Sequence, residues 1–251
     1  METLGTIDMT QRLVPLDDSR SGIVQLTLHG ATPANVLDTA VRRRIVGTLE
    51  AAATDPEVAA LILSGPTGGA FCGGGDGQEV SNLNSESDVD AWLDSIMALY
   101  HAVLRFPKPV IAAIDGQVKG QGLQLALLCD IRIAAYGARF SEPELAQGVS
   151  CAVGAAMLRH FVPHGVVSEM VYGCKEFGAI TALEHSLVNF AVREHELMPM
   201  ALHWARRLAD HAPAAFAHTK GIIAHTLLQA LTACLPAARA THRQLLVRPC
   251  A

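Results

Sequence analysis

The stretch KPVIAAIDGQVKGQGLQLALLCDIRIAAYGARFSEPELAQGVSCAVG, residues 108–154, contains the features that decide the fold. Its apolar run from Val110 to Ile114 is bounded by Pro109 and by Asp115-Gly116, which predicts a short strand buried on both faces. Gly120-Gln121-Gly122 follows, and the sequence LQLALLCD after it predicts a buried helix. Backbone N–H groups at a helix start have no intrahelical acceptor, so this turn can bind an oxyanion.

A second glycine-rich turn lies earlier in the chain. The segment FCGGGDGQEV, residues 71–80, follows the apolar run VAALILSG, which is predicted to be another strand. Two strand-to-turn units of this kind can each place one backbone N–H on a single carbonyl oxygen.

The order of the predicted elements indicates an α/β fold with a parallel sheet. GIVQLTLHG, residues 22–30, alternates as a strand does, and apolar residues recur at helical spacing from Val36 to Ala53 and from about Ala91 to Leu104. Nearly continuous apolar strands are typical of sheets that helices cover on both faces. After Gly154 the chain is predicted to be helical, apart from a short strand between Leu187 and Val192.

Composition excludes several classes of protein. The chain has a formal net charge of −5, and its longest basic run is Arg42-Arg43-Arg44, predicted to lie on a solvated helix face, so a nucleic-acid surface is not expected. The six cysteines form no CxxC pair, which argues against a zinc knuckle or a disulfide framework and favours a reducing cytoplasm. No uncharged apolar stretch is expected to approach the roughly 18 residues of a membrane span.

The glycine turns and their spacing from SEPEL resemble the crotonase superfamily, that is, the enoyl-CoA hydratase/isomerase family, after about residue 20. The resemblance implies an α/β spiral fold of repeated ββα units with a C-terminal helical layer. It divides the chain into an N-terminal extension without clear period at residues 1–20, a core at residues 21–195, and a helical lid and oligomerisation region at residues 196–251. It also implies a homotrimer or hexamer, and no cofactor beyond the CoA or phosphopantetheine that carries the substrate.

The resemblance also assigns roles to individual residues. The N–H groups of Gly75 and Gln121 correspond to the two donors that polarise a thioester carbonyl in this family. Glu144 corresponds to the second of the two glutamates that family hydratases use, whereas Gln124 occupies the place of the first. Because an amide cannot exchange protons, the resemblance points to chemistry with one carboxylate. Gln124 is instead predicted to bind substrate, through a hydrogen bond to a water molecule or to a substrate carbonyl. Glu142 is the less favoured alternative base, since the Pro-Glu pair of the motif maps onto Glu144.

Within the superfamily the local matches are closest to carboxymethylproline synthase-like members. They include GGDxxEV at residues 74–80, LYHAVL at residues 99–104 after Trp92, GVSCAVGAA at residues 148–156 and AFAHTK at residues 215–220. They imply either enoyl isomerisation or decarboxylative C–C bond formation in biosynthesis. An ordinary hydratase and a catalytically silent scaffold that binds acyl carriers remain as alternatives.

Three further residues are predicted to bind substrate. Cys151 is expected to line the acyl pocket. Gln78 stands where family members that bind free CoA often have lysine, while Lys220 matches a C-terminal lysine that often reaches the nucleotide. The sequence therefore predicts poorer use of free CoA esters than of the same acyl group on a carrier protein, as in polyketide biosynthesis. No metal site is predicted.

Overall fold

The computed structural model describes residues 10–15, 22–30 and 32–247, and it describes residues 10–15 by their backbone alone. The described residues form two β-sheets. The larger contains, in spatial order, β1 (Thr10–Pro15), β2 (Gly22–Thr27), β3 (Val58–Ser64), β4 (Val110–Ile114), β6 (Ile131–Ala135) and β9 (Phe190–Val192). The smaller contains β5 (Gln117–Lys119), β7 (Arg139–Ser141) and β8 (Phe177–Gly178). In the larger sheet β2, β3, β4, β6 and β9 run parallel, as predicted.

Helices connect the strands and make up most of the C-terminal part of the chain. They are α1 (Thr39–Thr54), α2 (Gly77–Ser81), α3 (Glu86–Arg105), α4 (Gln121–Leu127), α5 (Ala152–Leu158), α6 (His164–Val171), α7 (Ala179–Glu184), α8 (Glu194–Ala209) and α9 (Pro213–Leu246). A 3-10 turn spans Glu144–Gln147.

Two sequence predictions need correction near the N-terminus and in α3. Part of the extension at residues 1–20 is regular, because β1 pairs antiparallel with β2 at the sheet edge; the rest of that extension lies outside the described residues. Helix α3 begins at Glu86 rather than near Ala91. The side chain of Ser85 accepts from the N–H of Asp88, and the carboxylate of Asp88 accepts from the N–H of Ser85, so the polar residues form a capping box.

The larger sheet is covered on both faces, which explains its apolar strands. On one face, Ile62 and Ile111 pack in a cluster with Leu197 and Ala201 of α8, while Leu61 and its neighbours face the cluster built with α1 and α3. Helix α8 is therefore a layer of the core, although the sequence placed residues 196–251 together in a lid. Helix α9, unlike α8, packs against α3 and α5.

Helix α9 also overturns an expectation about apolar stretches. Residues 221–238 contain no Asp, Glu, Lys or Arg, and α9 is long and apolar enough to cross a membrane by length and composition. In the fold, Ala224, Leu227 and Leu231 of this stretch are buried, whereas Ile222 and Ile223 are exposed.

Candidate active site

The first glycine turn is held between two other segments of backbone. The N–H of Leu37 donates to the carbonyl of Gly74 at 2.7 Å, and the N–H of Asp76 donates to the carbonyl of Leu37 at 3.2 Å. On the other side, the N–H of Lys119 donates to the carbonyl of Cys72 at 3.0 Å. Gly75 lies between these bonds, and its own N–H has no backbone acceptor in the described chain.

The second glycine turn leads directly into α4, as the sequence predicted. Gly120 has φ +48° and precedes Gln121, the first residue of the helix, whose N–H likewise has no backbone acceptor among the described residues. The two turns are in close contact, since a Cβ on Gly122 would lie 2.3 Å from the carbonyl oxygen of Cys72. Only glycine permits this approach. The predicted N–H donors of Gly75 and Gln121 are thus brought to the same place.

A buried arginine ties the helices behind these turns together. Arg42 is fully buried, so its predicted place on a solvated helix face is wrong; Arg43 and Arg44 are exposed. Its guanidinium group pairs with Glu79 at 2.6 Å and donates to the side-chain oxygen of Gln121 at 3.2 Å. The ion pair and hydrogen bonds offset the cost of burying the charge, and they link α1 to both glycine turns.

Asn35 links the strand ends on the other side of the first turn. Its side-chain amide donates to the carbonyl oxygens of Leu28 at 3.1 Å and Phe71 at 2.7 Å, and its side-chain oxygen accepts from the N–H of Gly30 at 2.6 Å. Asn35 has φ +55°, a left-handed conformation that asparagine tolerates better than most residues.

Glu144 lies against the second glycine turn. It opens the 3-10 turn after β7, and a Cβ on Gly120 would lie 3.1 Å from its Oε1 atom. Oε1 accepts from the side-chain nitrogen of Gln124 at 3.1 Å. Oε2 is buried and has no hydrogen-bond partner among the described residues, so one oxygen of this carboxylate is left to act on a substrate.

The amide of Gln124 is held at both ends. Its oxygen accepts from the hydroxyl of Tyr100 at 2.5 Å, which fixes the orientation of the amide. Its nitrogen donates to Glu144 and also to Glu142 at 3.2 Å. The sequence predicted that Gln124 binds substrate, but the structure shows both ends of its amide engaged by protein groups.

Glu142 is the second carboxyl group of the site and is completely buried. The thiol of Cys151 lies 3.7 Å from its Oε2 atom. Burial, and then the neighbouring charge of Glu144, raise the pKa of Glu142 well above its usual range. Glu144 lines the cavity described below and Glu142 is not among its lining residues, which agrees with the sequence preference for Glu144.

The carboxyl groups and the thiol are close enough to raise the question of a metal ion. Glu142, Glu144 and Cys151 place potential ligand atoms within 4.8 Å of one another. However, the N–H donors of Gln124 point at both carboxylates, and burial raises the pKa of the Cys151 thiol. A donor directed at both carboxylates repels a cation there, so this set of groups does not fit a metal.

The site opens into a cavity of about 870 Å³. Gly75 and Gln121 line it together with Glu144 and Cys151, so the structure brings these predicted residues together. Further lining residues come from the glycine loop, α3, the segment after Glu144, and the end of α9; they include Val80, Leu93, Ile96, Val149, Val153 and Leu246.

Two heteroaromatic side chains stand on the α3 and α9 walls of this cavity. The rings of Trp92 and His242 pack edge to face with centroids 5.4 Å apart. The Nδ1 atom of His242 bonds to the carbonyl oxygen of Ala238 at 2.7 Å, which leaves Nε2 for another partner. The indole N–H of Trp92 is buried without a partner in the described part of the chain. The sequence drew attention to Trp92 only as part of a family match and did not single out His242.

Two predicted substrate-binding residues lie outside this cavity. Gln78 is exposed in the first turn of α2, where the carboxylate of Asp76 caps the helix. Lys220 is buried, pairs with Asp130 at 2.7 Å and donates to the carbonyl of Lys108 at 3.1 Å. Lys220 lines a separate cavity of about 550 Å³ between α9 and the end of α4.

Sequence reasoning missed the supporting residues for identifiable reasons. Arg42 lies three residues before Ile45 and seven before Leu49, on the buried stripe of α1, so its spacing was a signal that the basic run obscured. Tyr100 and His242 gave no such signal, because each acquires its role from a helix packed far away in sequence.

The chain is similar to known proteins of one family. The model of the family described as enoyl-CoA hydratase/isomerase matches residues 18–248. Carboxymethylproline synthase from Pectobacterium carotovorum subsp. carotovorum is 33% identical over 218 residues, 87% of each chain. The 2,3-dehydroadipyl-CoA hydratase of Escherichia coli (strain K12) is 32% identical over 225 residues, 89% of this chain and 85% of that protein.

Solved structures show the same relationship. ThnE from S. clavuligerus has a TM-score of 0.75 and 30% identity, covering 88% of this chain and 96% of its own. An enoyl-CoA hydratase from Mycobacterium avium subsp. paratuberculosis K-10 has a TM-score of 0.80 and 25% identity, covering 96% and 91%. The predicted spiral α/β fold and the resemblance to carboxymethylproline synthase-like members are confirmed, and the chain belongs to the enoyl-CoA hydratase/isomerase family of the crotonase superfamily.

Proposed function

We propose that this protein decarboxylates a malonyl-type thioester and joins the resulting enolate to a second, polar electrophile. The observation that carries the proposal is that the cavity holds one carboxylate, Glu144, beside an amide, Gln124, whose two ends are already bonded. Addition of water by the hydratases of this family needs a second proton-exchanging group, which Gln124 cannot supply.

The oxyanion end of the cavity suits an enolate. Loss of CO2 leaves its electron pair on the α-carbon and the thioester oxygen, where the N–H groups of Gly75 and Gln121 stabilise the negative charge. One such donor typically contributes about 3–4 kcal/mol to a transition state. The α-carbon then attacks the electrophilic carbon of a C=N bond, and the nitrogen takes up one proton if the imine is neutral.

The α3 and α9 walls suit a polar second substrate better than a plain alkyl chain. A buried N–H without a partner is costly, and the indole N–H of Trp92 has none among the described residues. His242 beside it bonds to Ala238 through Nδ1, so its Nε2 atom remains for a polar group of the substrate. Similarity to carboxymethylproline synthase and to ThnE supports the same choice. We propose CoA or a carrier-protein pantetheine as the thioester carrier.

The test compares malonyl-CoA and malonyl-pantetheine, each with and without a small cyclic imine that bears a carboxylate. Release of CO2 and formation of a C–C adduct by mass spectrometry are expected. The Glu144→Gln variant should keep much of the decarboxylation and lose control of the product. Glu176→Gln, an exposed glutamate, is the matched control.

Two other substrates identify the competing reactions. A 3-enoyl-CoA that isomerises faster than malonyl-CoA decarboxylates, with a loss of several orders of magnitude in Glu144→Gln, would establish an isomerase instead. Rapid hydration of a 2-enoyl-CoA would contradict the role given to Gln124. Turnover of none of these thioesters would leave the silent scaffold as the better description.

A further inference from the structure

We propose that Glu142 is a positioning residue that keeps one proton on the Glu142–Glu144 pair, so that Glu144 can deliver a proton to the reacting carbon or nitrogen. The use of this proton in catalysis rests on the proposed function. The presence of the proton does not, because it follows from the arrangement of the protein groups alone.

The geometry makes the two carboxyl groups one unit. Glu142 and Glu144 have ligand-type oxygens within 4.8 Å of each other, and both accept from the same nitrogen of Gln124. Tyr100 holds that amide in place through its oxygen. Gly154 closes the other side, since a Cβ there would lie 3.2 Å from Glu142 Oε2 and 2.6 Å from the nitrogen of Gln124.

In the described part of the chain, Glu142 forms no ion pair that would balance a negative charge. The groups that face it are Gln124 from α4 and Cys151 at the start of α5, with Glu144 beside it; Tyr100 of α3 reaches it through Gln124. Tyr100 and Cys151 are neutral, since burial raises the pKa of each above its usual range.

Arg42 of α1 is a buried basic group of the same site, and its guanidinium group is engaged by Glu79 and by Gln121 rather than by Glu142. An isolated buried carboxylate costs several kcal/mol, so a carboxyl group in this position takes up a proton instead. Glu142 therefore holds the proton of the pair.

The proton balance of the step is simple. The resting pair carries one proton and one negative charge. The proton first passes from Glu142 to Glu144, whose oxygens lie within 4.8 Å of each other. When Glu144 then gives this proton to the enolate carbon, the thioester becomes neutral and both carboxyl groups are ionised. Repulsion between two neighbouring carboxylates drives uptake of one proton from water, which restores the pair. Glu142 does not line the cavity, so it acts on the reacting atoms only through Glu144.

The proton is detected directly by infrared spectroscopy, without any substrate. We expect a protonated carboxyl C=O stretching band that persists at neutral pH in the wild-type protein and in Glu144→Gln, and is absent from Glu142→Gln. Glu176→Gln should match the wild type. Absence of the band from the wild type, or its survival in Glu142→Gln, would overturn the proposal even if the enzyme decarboxylates malonyl thioesters.

The use of the proton is measured by pH profiles. Without an electrophile, malonyl-CoA should give CO2 and acetyl-CoA. We expect the alkaline limb of the pH–rate profile for acetyl-CoA formation to shift to lower pH by about one unit or more in Glu142→Gln. Glu142→Asp, which keeps a carboxyl group, should restore part of the limb. An unchanged limb in Glu142→Gln would show that Glu142 only fills space.

Failure of the proposed function gives a different pattern. If malonyl-CoA is not decarboxylated, the same pH comparison is made on exchange of the α-hydrogens of acetyl-CoA with D2O. If the alkaline limb of the exchange rate lies at the same pH in the wild type and in Glu142→Gln, the positioning role is rejected. The infrared band still decides whether the proton is present.

Discussion

The two glycine turns that contain Gly75 and Gln121, called the oxyanion turns below, are formed by backbone groups. The α3–α9 walls of the cavity are formed by side chains. At the turns, backbone N–H groups of Gly75 and Gln121 are placed by strands of two sheets and by glycines in contact with backbone. At the walls, side chains of Trp92 and His242 are placed by two helices packed side by side. The first arrangement admits almost no adjustment, whereas the second can move with its helices.

The forces that hold the two regions differ accordingly. The turns are fixed by buried backbone hydrogen bonds and by the buried Arg42–Glu79 ion pair. Helices α3 and α9 share an apolar seam, and at the surface Asp90 accepts from both Arg239 and Arg243. Exposed pairs of this type contribute little to stability. We therefore expect substitutions at the turns to abolish turnover and substitutions at the walls to change substrate choice.

The largest effect is expected from Gly122→Ala. A Cβ at this position would lie 2.3 Å from the carbonyl oxygen of Cys72, so the two glycine turns must separate. Because Gly75 and Gln121 must act on one oxygen, the decarboxylation rate should fall by about 10²–10³, the loss typical of one missing donor. The measurement is kcat with malonyl-CoA, alongside circular dichroism to show that the variant is folded.

Gly137→Ala is the matched control for this substitution. Gly137 is exposed, and a Cβ there would meet nothing within 4 Å. Wild-type rates in Gly137→Ala and a large loss in Gly122→Ala would locate the sensitivity in the contact between the turns. A Gly122→Ala variant with full activity would mean that the turns can shift without losing the oxyanion site.

The effect of His242→Phe should be intermediate and selective. Phenylalanine keeps a ring against Trp92 but removes both ring nitrogens. We expect decarboxylation of malonyl-CoA to stay within a few-fold of wild type, while coupling to a polar electrophile falls about tenfold, as loss of one hydrogen bond predicts. The ratio of C–C adduct to acetyl-CoA measures this change.

His218→Phe serves as the control, because His218 is exposed on α9 away from the cavity. An equal fall in decarboxylation and coupling in His242→Phe would indicate that the wall supports the whole site. In that case the contrast between the two regions would be smaller than the structure suggests.

This contrast also explains what the sequence could predict. The oxyanion turns depend on short segments, such as Gly120 to Gly122 after β5, whose glycines and strand pattern are visible locally. The lining of the walls depends on where α9 comes to lie, and no local pattern brings His242 to Trp92, 150 residues away. Between these cases stands Arg42, whose spacing on α1 indicated burial although its charge suggested exposure.

The smallest effect is expected from Arg243→Gln, which weakens the surface contact between α3 and α9. Arg243 donates to Asp90 and pairs with Glu86 at 3.1 Å, one residue beyond His242. Loss of these pairs should let the end of α9 move, raising KM for the second substrate about threefold or less while kcat for decarboxylation stays unchanged. High salt should reduce the difference from wild type, because exposed charges are screened.

The pH dependence of this contact has a definite sign. Hydrogen bonding to Arg243 lowers the pKa of Asp90, so the contact stabilises the fold above the unfolded pKa and is lost as pH falls through the folded pKa. Thermal stability of Arg243→Gln should therefore approach that of wild type in acid. Lys175→Gln breaks an exposed pair with Glu169 far from α9, so it should leave KM for the second substrate unchanged. If both variants alter KM equally, the α3–α9 ion pairs have no special part in holding His242.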